Sequence, residues 1–297
     1  MRRTLVLSGL VAALVGIGAS TAAADRPDTG YNRNQSNDCA ARDARGRDQQ
    51  VVGLVADGSL VCFREDRPER ARTIGKISGL QQDVSLVGID YRPANNVLYG
   101  LGNAGGVYTI DVNTATATLA SRLNQPLSGA SFGVDFNPSV DRLRIVSDTG
   151  QNLAANVDDG TTAVNTTLNI PGATPVNPAL GINGAAYTNN DADPNTATTL
   201  FDIDSTNDQV SVQAPPAAGS LSPAGKLGID AGNANGFDIY STIGYGTTVA
   251  NEALLSVASA DGYSATLYSV DLLIGRVAKV GHFGQPVVDI AFPTAQR

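Results

Sequence analysis

The sequence predicts an all-β protein that folds as a β-propeller of five four-stranded blades. Three observations lead to this prediction: one short motif recurs every 45–48 residues, a second motif recurs alongside it, and the segments between turn residues alternate apolar with polar positions. No segment places apolar residues at helical spacing, so almost no helix is expected. Four strands in each repeat, arranged around an axis, are typical of propeller blades.

The first motif marks the opening strand of a unit by a glycine that is followed two positions later by Asp or Asn. Its copies are Gly88–Pro93, Gly133–Pro138, Gly181–Asn183 and Gly228–Asp230, and their glycines lie 45, 48 and 47 residues apart. Opening strands of a closed propeller line its central channel. We therefore expect equivalent residues of these copies to converge on the axis.

The number of copies of the second motif indicates the number of blades. Its copies are Leu60–Arg64, Val107–Asp111, Ala154–Asp158, Leu200–Asp204 and Leu267–Asp271. Five copies predict five blades. The last two copies end 67 residues apart, against 46 or 47 for the others, which predicts an insertion over Ile243–Ala265 between the second and third strands of that blade. A sixth blade remains an alternative if the insertion contains a degenerate repeat.

Period-two alternation places four strands in one unit and supplies a strand to close the ring. In the second unit the predicted strands are Leu86–Asp90, Val97–Leu101, Val107–Asp111 and Ala117–Leu123, separated by turn residues. The first unit lacks an opening strand, because the polar arm 25–50 precedes it. Residues 287–292 resemble an opening strand, so we predict that they complete the first blade and remove two exposed sheet edges. The propeller domain then spans residues 51–293.

The N-terminus has the pattern of an export signal. Arg2 and Arg3 precede the apolar run Leu5–Ala19, and Ala22–Ala24 supply the small residues that signal peptidase requires. The run is shorter than the roughly 20 residues that span a bilayer, so a retained membrane anchor fits less well. We predict a signal peptide over residues 1–24, cleavage between Ala24 and Asp25, and a secreted protein, extracellular or in the cell envelope, without a transmembrane segment.

Export gives the two cysteines a structural role. Cys39 lies in the polar arm and Cys62 in a predicted strand. An even number of cysteines in an oxidising compartment favours one disulfide, Cys39–Cys62, which would tie the arm to the propeller. The alternative is two free thiols.

The repeats also carry a resemblance to a known family. From Val51 to the C-terminus the chain resembles a family of secreted bacterial proteins known as domain of unknown function 4394. The residues that carry the resemblance are Leu98–Leu101, Ser131–Pro138, Asp141–Asp148 and Tyr187–Asn195. The resemblance implies a propeller-like fold and a secreted setting, and it supplies no catalytic residue.

Composition excludes several classes of site. One His and two Cys cannot form a zinc site of three or four nitrogen and sulfur ligands, nor a two-histidine iron site. The formal net charge of −8, which becomes −10 once the two arginines of the signal peptide are removed, argues against nucleic acid as a partner. We expect a monomer with an unidentified extracellular ligand or protein partner.

Two motifs that resemble catalytic or cofactor signatures lack the required context. Gly100–Gly105 matches G-x-G-x-x-G, but a strand follows it where a dinucleotide site needs a helix. Gly129–Gly133 matches the G-x-S-x-G nucleophile elbow, but Ser131 precedes a strand, and its only imidazole partner, His282, belongs to a distant blade. No catalytic residue is predicted.

Two groups of oxygen ligands are candidates for a cation, for which Ca²⁺ is the one cofactor considered. The inner ring comprises Asp90, Asp135, Asn183, Asp230 and Asp289. These side chains hold a cation if they face the channel, or accept backbone amides if they face sideways, and the second reading is favoured. The loop group comprises Asp191, Asp193 and Asn195, whose alternating oxygens suit Ca²⁺. A solvated loop that uses these residues for turn geometry is the favoured reading, because Thr196 stands where an EF-hand loop has its glycine.

The leading functional hypothesis is a secreted, non-catalytic propeller that binds a ligand or a protein. It rests on the repeat scaffold, on two long polar loops (Asn189–Thr199 and Ile243–Ala265) expected on one face, and on the lack of a catalytic set. The alternative is a calcium-dependent propeller hydrolase of esters or lactones that uses a channel cation. The third hypothesis is an inert envelope-associated protein.

Overall fold

The described residues form 20 strands in five four-stranded antiparallel sheets, which are the blades of a closed ring. The structure is a computed structural model that describes residues 50–172, 178–191, 193, 195–244 and 246–294. The innermost strands of neighbouring blades contact one another around the axis. The predicted all-β propeller is therefore confirmed, and it has five blades rather than six.

The strands are numbered in chain order. Blade 1 contains β1 (Gln50–Val55), β2 (Ser59–Arg64) and β3 (Arg67–Lys76). Blade 2 contains β4 (Leu86–Arg92), β5 (Val97–Gly102), β6 (Gly106–Asp111) and β7 (Thr116–Arg122). Blade 3 contains β8 (Phe132–Asn137), β9 (Arg142–Ser147), β10 (Asn152–Ala155) and β11 (Thr162–Val164). Blade 4 contains β12 (Ile182–Tyr187), β13 (Leu200–Asp204), β14 (Gln209–Gln213) and β15 (Leu221–Lys226), with a 3-10 turn at Pro216–Ala218. Blade 5 contains β16 (Asn235–Gly244), β17 (Thr247–Ala258), β18 (Ala265–Val270) and β19 (Val277–Phe283).

The last strand closes the ring. β20 (Val287–Ala291) pairs with β1 and becomes the innermost strand of blade 1, with Leu54 opposite Asp289. The prediction that the C-terminal strand completes the first blade is confirmed. Pairing it there gives β1 a partner on each side, so β1 does not present an open edge.

The long unit differs from its prediction. Residues 243–265 are not an insertion between the second and third strands, because most of them form β17. β16 and β17 instead make an extended hairpin, in which Asn235 pairs with Val257 and Gly244 with Thr247. The extra length therefore projects from between the first and second strands of blade 5. The extra residues lengthen β16 and β17 without changing the period-two alternation. The sequence pattern therefore does not distinguish two long strands from two short strands with an insertion after them.

The core lies between the blades. Five clusters of buried apolar residues each join two neighbouring sheets, and the largest fully buried side chains include Tyr108, Phe136, Tyr187 and Phe283. A single blade exposes both of its faces, so each blade is stabilised only by packing against its neighbours.

Glycine is required where innermost strands approach each other. A Cβ atom added to Gly133 would lie 2.6 Å from the backbone nitrogen of Ala185 in the next blade, and one added to Gly236 would overlap the backbone of Asp289. These contacts involve main chain rather than mobile side-chain ends. At Gly133 and Gly236, glycine is therefore a packing requirement of the channel wall.

The predicted signal peptide and the polar arm up to residue 49 lie outside the described residues. Cys62 is buried in β2, and its predicted partner Cys39 lies in the arm, so the disulfide stays a prediction. The described part of the chain contains no helix long and apolar enough to span a bilayer.

Candidate functional site

Carboxylates from four blades meet at the axis. Asp90 of β4, Asp135 of β8 and Asp238 of β16 each bring one oxygen to a point where the three atoms lie within 4.8 Å of one another, and all three residues are buried. Asp289 of β20 lies beside them, since it accepts the N–H of Ile89, the residue before Asp90, and its charge acts on both Asp90 and Asp135. The channel therefore contains four carboxylates, of which Asp289 is half-buried and the other three are buried.

Two residues of the predicted inner ring lie elsewhere. Asp230 is exposed in the connection before β16, where it accepts the N–H of Gly232, and Asp238 takes its place at the axis. Asn183 is in β12, but its amide donates to Ser205 Oγ and to a backbone carbonyl, while Ala186 occupies the position equivalent to the channel aspartates. The assignment of these two residues to the ring was wrong, because the motif was aligned out of register in blades 4 and 5.

Asp238 was not among the residues predicted for the ring, although the sequence around it contains the same glycine–aspartate spacing. Gly236 precedes it by two positions, the same spacing as in Gly88–Asp90 and Gly133–Asp135. A second copy of that spacing, Gly228–Asp230, stands eight residues earlier and fits the repeat length better. Only the pairing of β16 with its neighbours distinguishes the two.

Each channel carboxylate also links its blade to the next one. The N–H of Ile89 donates to Asp289 (2.7 Å) and the N–H of Phe136 donates to Asp90 (2.7 Å). The remaining two links run from the N–H of Tyr187 to Asp135 (2.9 Å) and from the N–H of Phe292 to Asp238 (2.6 Å). The side chains therefore face the axis and accept backbone amides at the same time, and the binding of a cation by this ring stays a prediction.

Burial makes ionisation of these groups unfavourable. It raises the pKa of Asp90, Asp135 and Asp289 well above the usual range, and it raises the pKa of Asp238 to about 7. Like charges raise the pKa of Asp90 and Asp135 further, while the donated backbone amides lower it. The cluster is thus stabilised by protons or by a bound cation.

The junction between blades 4 and 5 lacks this carboxylate link, since Ala186 stands at the position of the aspartate. Polar contacts of the β12–β13 connection hold the two blades together instead. Asn189 and Asn251 exchange hydrogen bonds of 3.0 and 2.9 Å, and the N–H of Asn190 donates to Ser241 Oγ at 2.9 Å. The connection is therefore clamped to the β16–β17 hairpin.

The predicted calcium loop lies in this connection. Asp191 accepts the N–H and the hydroxyl of Thr248 through one oxygen and the N–H of Asp193 through the other. Asp193 accepts the N–H and the side-chain amide of Asn195, both at 2.9 Å. These contacts give the carboxylates a turn-forming and clamping role, and the cation prediction for this loop stays a prediction. Positions 192 and 194 are outside the described residues.

A cleft of about 830 Å³ opens between blades 4 and 5, next to the clamp. Phe201, Leu272 and Val277 give it apolar walls, and Thr188 and Asn251 add hydroxyl and amide groups. The turn between β18 and β19 forms its rim, where Leu273 is 82% exposed. The two long segments expected on one face do meet here, since Asp191 contacts Thr248 at the tip of the hairpin.

The serine and histidine considered for nucleophilic catalysis are not brought together. Ser131 lies before β8 in blade 3, whereas His282 pairs with Thr266 in blade 5. Blade 4 lies between them, so this pair cannot share a proton.

The comparisons with known proteins identify one family and several distant structures. The profile of a family described as "Domain of unknown function (DUF4394)" matches residues 59–291. No curated protein sequence matches the chain.

Solved structures resemble the chain at low identity. A structural genomics protein of unknown function from Bacteroides thetaiotaomicron has 13% identity and a TM-score of 0.43, covering 82% of this chain and 66% of its own. A protein from Lactobacillus plantarum has 13% identity and a TM-score of 0.40, covering 82% and 99%. Glutaminyl cyclase from Myxococcus xanthus has 10% identity and a TM-score of 0.38, covering 69% of each chain. Scores this low support no inference about function.

Proposed function

The chain belongs to the DUF4394 family, and we propose that it is a secreted, non-catalytic propeller that binds a small extracellular ligand in the cleft between blades 4 and 5. The observation that carries the proposal is the coincidence of three features at one junction. The cleft lies at the one junction between blades that no channel carboxylate bridges among the described residues. It also adjoins the β12–β13 connection, which is hydrogen-bonded to blade 5, and the extended β16–β17 hairpin. Connections on a rigid scaffold are where binding residues concentrate.

The size and lining of the cleft suit a small molecule. Its volume of about 830 Å³ falls within the range of roughly 300–1,000 Å³ that is usual for ligand sites. Apolar walls from Phe201 and Leu272 bury hydrocarbon. The Thr188 hydroxyl hydrogen and the second amide hydrogen of Asn251, which the contacts with Thr199 and Asn189 leave over, orient it by hydrogen bonds. Asp271 and Arg276 at the rim carry opposite charges, so the site favours an uncharged, amphipathic ligand.

Filling the cleft is expected to abolish binding. Ala278 lines the cleft and pairs with Ser269, so Ala278→Trp places an indole in the space. The affinity of uncharged aromatic fragments, measured by ligand-observed NMR on the mature protein, should fall at least about tenfold, a loss of about 1.4 kcal/mol.

The propeller repeat supplies a matched control. Thr118 of β7 pairs with Thr109 as Ala278 pairs with Ser269, so Thr118→Trp makes the same change on the equivalent surface of blade 2. Fragment binding should survive Thr118→Trp. Equal binding by both variants would show that the cleft is not the site.

The channel supports a second candidate function, the binding of a divalent cation. Three oxygens within 4.8 Å of one another can share one Ca²⁺, because its ligands lie at about 2.3–2.6 Å from the ion. Among the described residues, only one oxygen of Asp135 accepts a hydrogen bond, so the second is available to a cation. The hydrolase alternative, in which a channel cation polarises an ester or a lactone, would use this same site.

Calcium titration tests the channel candidate. A bound ion raises the melting midpoint as its concentration passes the dissociation constant. Asp135→Asn keeps one acceptor for Tyr187 and removes the charge, so the variant should lose the rise, whereas Asp191→Ala in the β12–β13 connection should retain it. If wild-type protein shows no rise at millimolar calcium, a calcium site in the channel and the calcium-dependent hydrolase are both excluded.

A further inference from the structure

The outer edge of blade 1 carries a concentration of arginine in an otherwise acidic protein. Five of the 20 Lys and Arg residues lie between Arg64 and Lys76, in a chain whose net charge is −8. All but Arg64 belong to β3, the outermost strand of the blade. The same segment contains Glu65, Asp66 and Glu69, so this edge of the ring carries a net charge of +2.

The arginines surround a groove. A cavity of about 300 Å³ is lined by the side chains of Arg64, Arg67, Arg70 and Arg72, with Phe63 among its walls. Asp66 engages two of the four, since it lies 3.0 Å from Arg64 Nε and 3.5 Å from Arg67 Nε. Arg70 and Arg72 are exposed and make no ion pair with any residue that the structure describes. Two guanidinium groups are thus available to an anion from outside.

We propose that this groove binds an acidic polysaccharide through its carboxylate or sulfate groups. Arginine presents a planar pair of N–H donors that matches such groups in a bidentate manner. The groove is too small for more than one or two sugar residues, and no strongly exposed apolar side chain adjoins it in β3, so insertion into a membrane is not favoured. A long, stiff polyanion such as DNA would also meet the acidic remainder of the surface, whereas a short stretch of acidic saccharide reaches only the groove.

Protection of a sheet edge is the competing explanation. Charged residues on an outermost strand prevent pairing with another chain. That role requires charge along the edge, but it does not require two unpaired arginines on the wall of one groove. The two explanations differ in whether a small anionic saccharide binds.

The test compares two double variants of the mature protein, with a heparin-derived hexasaccharide as the probe. Arg70→Ser with Arg72→Ser should weaken the affinity measured by calorimetry at least about tenfold, because both bidentate contacts are lost. Arg142→Ser with Lys226→Ser removes the same charge from exposed positions on blades 3 and 4 and should change it by less than about twofold. Arg70→Lys with Arg72→Lys keeps the charge and should give an intermediate affinity.

Three results would overturn the proposal. They are the absence of binding by the wild-type protein, equal losses in the two serine double variants, and equally tight binding of a short DNA duplex. Melting temperatures of all variants establish that each is folded. The outcome is independent of the cleft between blades 4 and 5, because none of these residues lines it.

Discussion

Gly133→Ala and Gly236→Ala are expected to destabilise the closed ring strongly. Each added methyl group would meet main-chain atoms of the adjacent innermost strand, which cannot rotate away as a side chain does. Overpacking in a core usually costs about 1–3 kcal/mol, and contact with a backbone places these two variants at or above the top of that range. Since a domain is stable by only about 5–15 kcal/mol, soluble yield should fall sharply.

Gly284→Ala is the matched control, because nothing lies within 4 Å of the position its Cβ would take. Urea unfolding of the purified proteins measures the difference in the free energy of unfolding. If Gly236→Ala unfolds at the same urea concentration as wild type and Gly284→Ala, the innermost strands are not packed as closely as described.

The second large effect concerns pH: the protein should become less stable as the pH rises from about 5 to about 8. Asp238 has a pKa of about 7 in the folded protein, against an ordinary value of 3.8. Between these values the unfolded chain releases a proton that the folded protein keeps, so the free energy of unfolding falls by up to about 1.4 kcal/mol for each pH unit. The raised pKa values of Asp90, Asp135 and Asp289 act in the same direction and extend the fall to higher pH.

Asp135→Asn separates this effect from other titrations. The amide oxygen can still accept the N–H of Tyr187, while one charge leaves the cluster, so the variant should be more stable than wild type at about pH 8 and depend less on pH. Asp261→Asn, which changes an exposed carboxylate, should leave the slope unchanged. The measurement is urea unfolding at several pH values with a chelator present, since a bound cation would also favour the ionised form. A stability that is flat or rises from pH 5 to pH 8 in wild type would contradict the buried cluster.

Much of the fold could be predicted because its signals are local and repeated. Alternation over Leu86–Asp90 and Val97–Leu101 predicts β4 and β5, and the predicted strand ends agree with the observed ones to within two residues. The strand 287–292 was assigned to blade 1 because its pattern matched the opening motif and no other strand was available there. The alternation pattern is weak in any single unit, but its recurrence in five units makes the strand assignment consistent.

The site was harder to predict, because it depends on contacts between blades. Gly228–Asp230 and Gly236–Asp238 share one local pattern, and only the register against β20 and β17 decides which aspartate reaches the axis. The cleft joins Thr188 and Arg276, which are distant in sequence and lie on different blades. A periodic pattern predicts the strands of one sheet, but it does not predict a cleft between two sheets.

The central claim is that ligand binding takes place in the cleft between blades 4 and 5. The most direct test is a crystal structure of the mature protein soaked with the tightest-binding uncharged fragment. We expect electron density for the fragment between Phe201 and Leu272, within hydrogen-bonding distance of Thr188 or Asn251. Density for the fragment in the channel beside Asp135, with none in the cleft, would contradict the claim.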